Sequence, residues 1–212
     1  MKLFLPFIFF ACMAFSSCNK KSTPAPPVKK ASTTTVTING TAYPTTVIGT
    51  QTWTSVDYRD PNAMVVPVSS LNDTAFLYTY TQLRNVTPPD GWRLPSAADF
   101  LVLTTFLGGT TDSKGYGTVT GSAAQMLTST NWPNIAGNNS TKFSANYVGA
   151  YYSAIPGYNF AGVGYWTSTP DGVKQLDFFI NISNSTGSWV QTGAIASDLK
   201  SDGFCIRFVK SN

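Results

Sequence analysis

The chain has 212 residues, with fourteen Lys and Arg, ten acidic residues, three Cys and no His. All ten acidic residues are Asp. This composition excludes Ser-His-Asp and Cys-His nucleophile systems, His-ligated metals or haem, Glu acid/base pairs and a Glu-closed EF-hand. Chemistry built from Asp, Lys, Tyr or Ser stays open, but the reading is of a protein that is not an enzyme, with no cofactor and no metal.

Met1-Lys2 is a short basic start, and Leu3–Phe15 is almost wholly apolar. That run is too short to span a membrane as a stable helix. A basic region, an apolar region and then small residues make a secretory signal over residues 1–17. Cys18 directly follows Ser16-Ser17 and so resembles a bacterial lipobox. In signals of that kind the leader is cut before the Cys, which carries the lipid. Several acyl chains on one residue anchor stably, since each buried methylene adds about 0.8 kcal/mol. Residues 18–35 hold Pro, Lys, Ser and Thr with almost nothing to bury, and read as a disordered tether. The expected location is the bacterial cell envelope, anchored by lipid to the outer membrane, with the membrane itself as one partner.

Five of the fourteen basic residues precede Ala31, leaving nine against ten Asp and a net charge of −1 beyond it. The pI near 8.9 therefore belongs to the leader and tether. Nucleic acid is excluded as a partner on this count, because it needs a basic face on the domain itself. Cys205 is the one Cys of the folded part, so no internal disulfide forms. It reads as a small apolar side chain in a strand, sharing a face with Arg207.

The folded part, residues 36–212, is one domain's worth of chain and long enough to bury roughly 70% of its unfolded surface. Its class is α+β: mainly antiparallel strands with one or two short helices, rich in loops. Val36–Ile38 leads into Asn39-Gly40, a type I′ hairpin signal, and Ala42–Val47 returns with Pro44 suggesting an edge or bulge. Thr52–Val56 follows as a strand carrying Trp53. Residues 60–72 contain Pro61 and Pro67 and read as loop; Ala75–Tyr80 reads as strand. Pro95 bars helix before Ser96, which is an N-cap with Asp99 at the capping-box position. Asp is shorter than Glu and is expected to close that box less well. Phe100, Leu103 and Leu107 then share one helical face, and Gly108-Gly109 stops the helix. Ser122–Thr128 suggests a second helix. Residues 129–170 are loop-rich and aromatic. Tyr165–Thr169, Leu176–Ile182, Ser188–Gln191 and Phe204–Val209 are the remaining strands.

The ordered set of landmarks resembles a known family. Asn39-Gly40-Thr41-Ala42-Tyr43, Thr46–Trp53, Leu77–Tyr80, Gly91–Ser96, Leu107-Gly108-Gly109, Tyr165–Thr169 and Ile206–Lys210 are similar to those of the Fibrobacter succinogenes major paralogous domain. The resemblance covers roughly Val36 to Lys210. It implies an arrangement like that of C-type lectins and formylglycine-generating enzymes, in secreted or lipid-anchored bacterial proteins. Asp99 departs from the family's Glu, and the terminal Cys is displaced to position 205. Formylglycine generation depends on paired cysteines, so that activity does not carry over. Asp60-Pro61-Asn62 is superficially similar to the calcium and sugar loop of lectins but lies too early in the chain.

Two groups of residues invite a functional reading. Trp53, Trp92, Arg93, Leu94, Pro95, Ser96, Trp166 and Arg207 belong to the family landmarks and read as structure: Trp92 and Leu94 filling the core, Arg93 paired with Asp or with carbonyls, and Trp166 inward with Thr167 outward on a central strand. Trp132, Tyr151, Tyr152 and Tyr158 lie among Gly, Asn and Ser, the composition of sugar-stacking faces and paratopes. The alternative is loops pinned to the domain by aromatic side chains. The expected function is a non-catalytic glycan- or protein-binding or adhesion module. The other readings are a structural envelope component without a ligand, and a polysaccharide-active enzyme drawing on Asp57, Asp60, Asp171 and Asp177. Asp73-Thr74-Ala75 resembles a short O-glycan acceptor pattern.

Overall fold

The computed structural model describes residues 34–68, 73–111, 117–120, 129, 132, 137–153, 162–170, 177–183, 189–194 and 201–212. The leader, Cys18, the tether as far as residue 33, residues 122–128 and Tyr158 lie outside this set. The elements in chain order are β1 (Thr34–Ile38), β2 (Thr41–Ile48), β3 (Gln51–Thr54), β4 (Met64–Val68), β5 (Asp73–Leu77), α1 (Tyr80–Leu83), α2 (Ala97–Phe106), β6 (Thr110–Thr111), β7 (Gly117–Thr120), β8 (Gly162–Pro170), β9 (Asp177–Ser183), β10 (Trp189–Ala194) and β11 (Val209–Ser211). Antiparallel strands predominate, in sheets ordered β1-β2-β3-β11, β6-β7-β10-β9-β8 and β4-β5. Residues from Ala31 to Asn212 form one compact unit. Among the described residues no helix is long and apolar enough to cross a membrane.

The first hairpin follows its turn chemistry. Asn39 and Gly40 take φ of 48° and 79°, as a two-residue type I′ turn requires, and Ile38 pairs with Thr41. Pro44 is not at an edge: β2 lies between β1 and β3, and Pro44 falls one residue before the β2–β3 ladder, which begins at Thr45 and Thr54. Helix α2 begins where the capping signal places it. The Ser96 side chain accepts from the Asp99 N–H, and the Asp99 carboxylate accepts from the Ser96 N–H at 2.7 Å. The shorter Asp therefore closes the box. Phe100, Leu103, Thr104 and Leu107 form its buried face.

Four further expectations are overturned. Residues 60–72 are not all loop, because Met64–Val68 pairs with Asp73–Leu77. Its β-branched residues favour a strand, and Pro67 is tolerated because a two-stranded hairpin leaves one edge without a ladder partner. The strand expected over Ala75–Tyr80 ends at Leu77. Thr79 then caps α1 through a second capping box with Gln82, a Thr-x-x-Gln signal present in the sequence and passed over. Thr167 points inward at 1% exposure, and its strand β8 is the edge of its sheet rather than central. That edge is covered by bridges from Gly149 to Val163 and from Tyr165 to Cys205, so both faces are buried.

The fourth concerns Phe204–Val209, which is not one strand. Residues 203–205 bridge Tyr151, Tyr78 and Tyr165 in turn, the Ile206 and Phe208 carbonyls accept from Tyr58 and Thr54, and only Val209–Ser211 joins a ladder. The segment passes through the middle of the domain, and every side chain from Phe204 to Val209 is fully buried. Gly164 lies against it so closely that a Cβ there would fall 2.5 Å from the Phe204 ring. Two apolar clusters flank this segment. One is centred on Trp53, Phe100, Phe143 and Tyr165, the other on Tyr58, Tyr78, Trp166, Phe204 and Phe208.

Candidate functional site

The turn at Asn39, the loop after β3, and α1 with the turn that follows it converge on a polar cleft. Its volume is about 230 Å³, and its walls are Asn39, Tyr58, Asp60, Asn62, Tyr78, Gln82, Asn85, Val86 and Thr87. Two buried tyrosines hold the loop. Tyr43 donates its hydroxyl to the Arg59 carbonyl (3.1 Å) and accepts from the Arg59 N–H (3.2 Å). Tyr78 accepts from the Asp60 N–H (2.9 Å) and donates to the Tyr58 carbonyl (3.2 Å). The Tyr58 and Tyr78 rings stack with centroids 5.7 Å apart, and Phe208 closes edge-on against Tyr58.

Above this base the polar side chains are chained together. Asn39 donates to the Tyr58 hydroxyl (2.8 Å), which donates to Asp60 Oδ2 (2.8 Å). Asp60 Oδ1 accepts from both the backbone N–H and the side-chain amide of Asn62, at 2.8 and 2.9 Å, in an Asx turn. Gln82 uses its oxygen for the α1 cap and its amide N–H for the Asn62 carbonyl (2.5 Å), tying helix to loop. The Asn62 N–H, opposed by partial desolvation and aided by Tyr58, holds the Asp60 carboxyl below its ordinary range. Burial, then the neighbouring Asp60, pushes the Tyr58 hydroxyl well up, so it stays protonated. The cleft thus presents one fixed carboxylate among neutral donors and acceptors.

A second polar centre is built around the fully buried Arg207. Arg207 donates from Nε to Asp57 Oδ1 (2.6 Å), from Nη1 to the Thr54 and Phe143 carbonyls (2.8 and 2.7 Å), and from Nη2 to the Ser144 carbonyl (3.1 Å) and the Tyr165 hydroxyl (3.3 Å). Its guanidinium lies over the Phe143 and Tyr165 rings, 4.7 and 5.4 Å from their centroids. Arg207 itself is fully buried and all five acceptors are protein groups, so this is a structural knot. Burial likewise pushes the Cys205 thiol well up and makes it a poor nucleophile.

The landmark residues are placed as follows. Trp53 is fully buried in β3, and Trp166, 4% exposed in β8, donates its indole N–H to the Tyr78 carbonyl. Trp92 and Leu94 are only half-buried rather than core residues, and Lys210 lies 5.2 Å from the Trp92 ring centroid. Arg93 forks onto Asp99, which also accepts from Ser96 and from Gln51 (2.8 Å). Burial opposes the Asp99 charge, but Arg93 and Ser96 outweigh it, and the carboxyl sits below its ordinary value. Its contribution to stability is then present above the unfolded-state pKa of about 3.9 and is lost as pH falls through the lower folded value. Asp99→Asn is expected to be about 2–3 kcal/mol less stable than the parent at pH 7. That difference should narrow below about pH 4, as urea unfolding at both pH values would measure.

Among the described residues, Trp132, Tyr151 and Tyr152 do not form an open face. Trp132 is 5% exposed, donates its indole N–H to the Ala145 carbonyl (2.8 Å) and meets Tyr147 edge-on. Tyr151 and Tyr152 are half-buried, one against the Trp53 cluster and the other edge-on to Phe204. Large aromatic rings interleaved with Gly and Asn pin these loops to the core, because a ring recovers more apolar burial inward than outward. Among the Asp candidates, Asp57 is occupied by Arg207, Asp60 lies in the cleft, Asp177 opens β9 and Asp171 lies outside the described residues. Thr74 of the acceptor-like triplet is a half-buried residue of β5. Among the described residues no three metal-ligating side chains come together.

Residues 22–210 match the Fibrobacter succinogenes major domain. The chain belongs to that family. The match covers nearly the whole chain and begins within the stretch read as a tether. No curated protein and no solved structure matches the chain. In this Fibrobacter succinogenes major domain the landmark motifs surround the two clusters and the Arg207 knot. The cleft is built largely from residues between those motifs. Asp60 was marked in the sequence as an Asp candidate, and Asn39 as half of a turn. Asn62 falls in the Asp60-Pro61-Asn62 triplet set aside as lying too early for a lectin loop, Asn85 and Thr87 frame an Asn-x-Thr triplet, and Gln82 carries no signal beyond the Thr79-x-x-Gln82 cap.

Proposed function

We propose that this protein is a lipid-anchored module of the bacterial cell envelope, of C-type-lectin-like architecture, that binds a glycan or protein ligand without transforming it. The observation that supports binding is the cleft between Asn39 and Thr87, rigidly based on stacked tyrosines and lined by amides. Asp60 is the single carboxylate among its lining residues, so the cleft lacks the paired carboxyls of glycoside hydrolysis. The anchor rests on the leader and on Cys18, and a tether would hold the domain off the membrane. The net charge of −1 beyond Ala31 gives nucleic acid no basic face to meet.

The test uses the full chain expressed in a bacterial host with an alkyne-tagged fatty acid. Parent protein is expected in the membrane fraction and labelled, whereas Cys18→Ala is unlabelled and released. The parent is then screened against glycan arrays and envelope proteins, with and without calcium. Ligand capture that disappears in the double variant Asn85→Ala/Thr87→Ala supports the reading; capture unchanged by it sends the site elsewhere.

A further inference from the structure

Resting on the reading of the cleft as the binding site, we propose that it takes a single neutral sugar unit at the end of a glycan and turns away carboxylated and sulfated sugars. The argument begins with size. At about 230 Å³ the cleft is smaller than the roughly 300–1,000 Å³ of sites for drug-sized ligands, which suits one ring rather than a run of them.

The chemistry of the walls follows. Asn39 commits one amide hydrogen to Tyr58, and Asn62 directs its amide toward Asp60. The side-chain oxygens of Asn39 and Asn62, the whole Asn85 amide and the Thr87 hydroxyl take no partner among the described residues. An amide offers a donor and an acceptor side by side, the complement of neighbouring sugar hydroxyls, each of which both gives and takes a hydrogen bond. Tyr58 and Tyr78 are 3% and 1% exposed, so their rings cannot serve as stacking platforms. Recognition is by hydrogen bonding around one ring, with Val86 as the apolar contact.

Charge supplies the selection. Asp60 is oriented by three protein donors, from Tyr58 and Asn62. Among the described residues no cationic side chain lines the cleft opposite it. Arg59, its chain neighbour, places its guanidinium 5.4 Å from the Phe76 ring centroid, and neither Arg59 nor Arg84 lines the walls. An anionic sugar would meet a carboxylate without a counter-charge, which is a repulsive element of specificity.

The experiment is calorimetry of the full chain in a detergent without sugar headgroups. The probes are neutral oligosaccharides of glucose, xylose and mannose, and oligogalacturonate as their acidic counterpart. The expected result is binding of at least one neutral series and at least about fivefold weaker binding of the acid, the factor one like charge exerts at contact distance in water. Asn85→Ala, at an exposed side chain whose loss leaves the fold intact, should weaken the neutral ligand roughly three- to tenfold. Asp60→Asn should collapse the preference for neutral over acidic sugar. Acidic sugar binding the parent as tightly as neutral sugar overturns the charge selection and leaves the cleft standing as the binding site. Neutral binding indifferent to Asn85→Ala overturns the placement. No sugar binding, with a protein ligand lost in the cleft variants, overturns the sugar assignment alone.

Discussion

Arg207→Ala is expected to lower the stability of the domain by about 3–5 kcal/mol, the cost of breaking a buried ion pair by removing one partner. Asp57, 12% exposed at its side chain, would lose its ion-pair partner. The Thr54, Phe143 and Ser144 carbonyls would lose their donor inside the protein. For a domain of this size the midpoint of thermal unfolding should fall by about 10 °C or more. Arg207→Lys should recover little. An ammonium has three donors for five acceptors and no plane to lay over Phe143 and Tyr165. The double variant Asp57→Ala/Arg207→Met separates charge from packing. Removing both charges should cost less than the sum of the single changes, with a coupling of at least about 1 kcal/mol in a double-mutant cycle. Strict additivity would mean that the pair contributes nothing beyond its separate contacts.

Trp53→Ala is expected to cost about 3–5 kcal/mol by leaving a cavity between sheet and helix. Trp53 is fully buried, with its ring 5.1 Å from Phe100 of α2 and 5.6 Å from Phe143. Its indole N–H donates to Gln51 (3.2 Å), whose amide in turn donates to Asp99 at the helix cap. The void therefore touches the first sheet, α2 and the loop at 143 together, leaving little freedom to collapse. Trp53→Phe keeps an aromatic ring but orphans the Gln51 oxygen, and should cost less, about 1–3 kcal/mol. Chemical denaturation of the two variants measures the difference. If Trp53→Phe proved as costly as Trp53→Ala, the hydrogen-bond chain rather than the packing would dominate.

The contrast between legible and illegible parts has a local physical cause. The hairpin at Asn39-Gly40 and the start of α2 at Ser96 were readable because turn and cap chemistry act within four residues. The α1 cap at Thr79 and Gln82 was equally local and was passed over because the preceding apolar run resembled a strand. Strand β4 was hidden by two prolines, since whether a proline is tolerated depends on which edge is bare. The inward turn of Thr167 was not legible, and that of Trp132 was one of two readings its surroundings allow. Trp132 is fixed by the Ala145 carbonyl and the Tyr147 ring, Thr167 is buried on a strand whose edge meets Cys205, and Arg207 pairs with Asp57 150 residues away.

Composition and short-range order by themselves determined that this chain lacks His and Glu chemistry and folds as strands with few helices in a recognisable family. Only the tertiary structure decided which polar residues face solvent together. Trp132, Tyr151 and Tyr152 turn inward because apolar rings gain most by burial. The cleft is left to Asn39, Asp60, Asn62 and Asn85, brought together by the two tyrosine clamps and the Gln82 bridge. Such convergence joins side chains from separate turns, and no periodicity along the sequence encodes it.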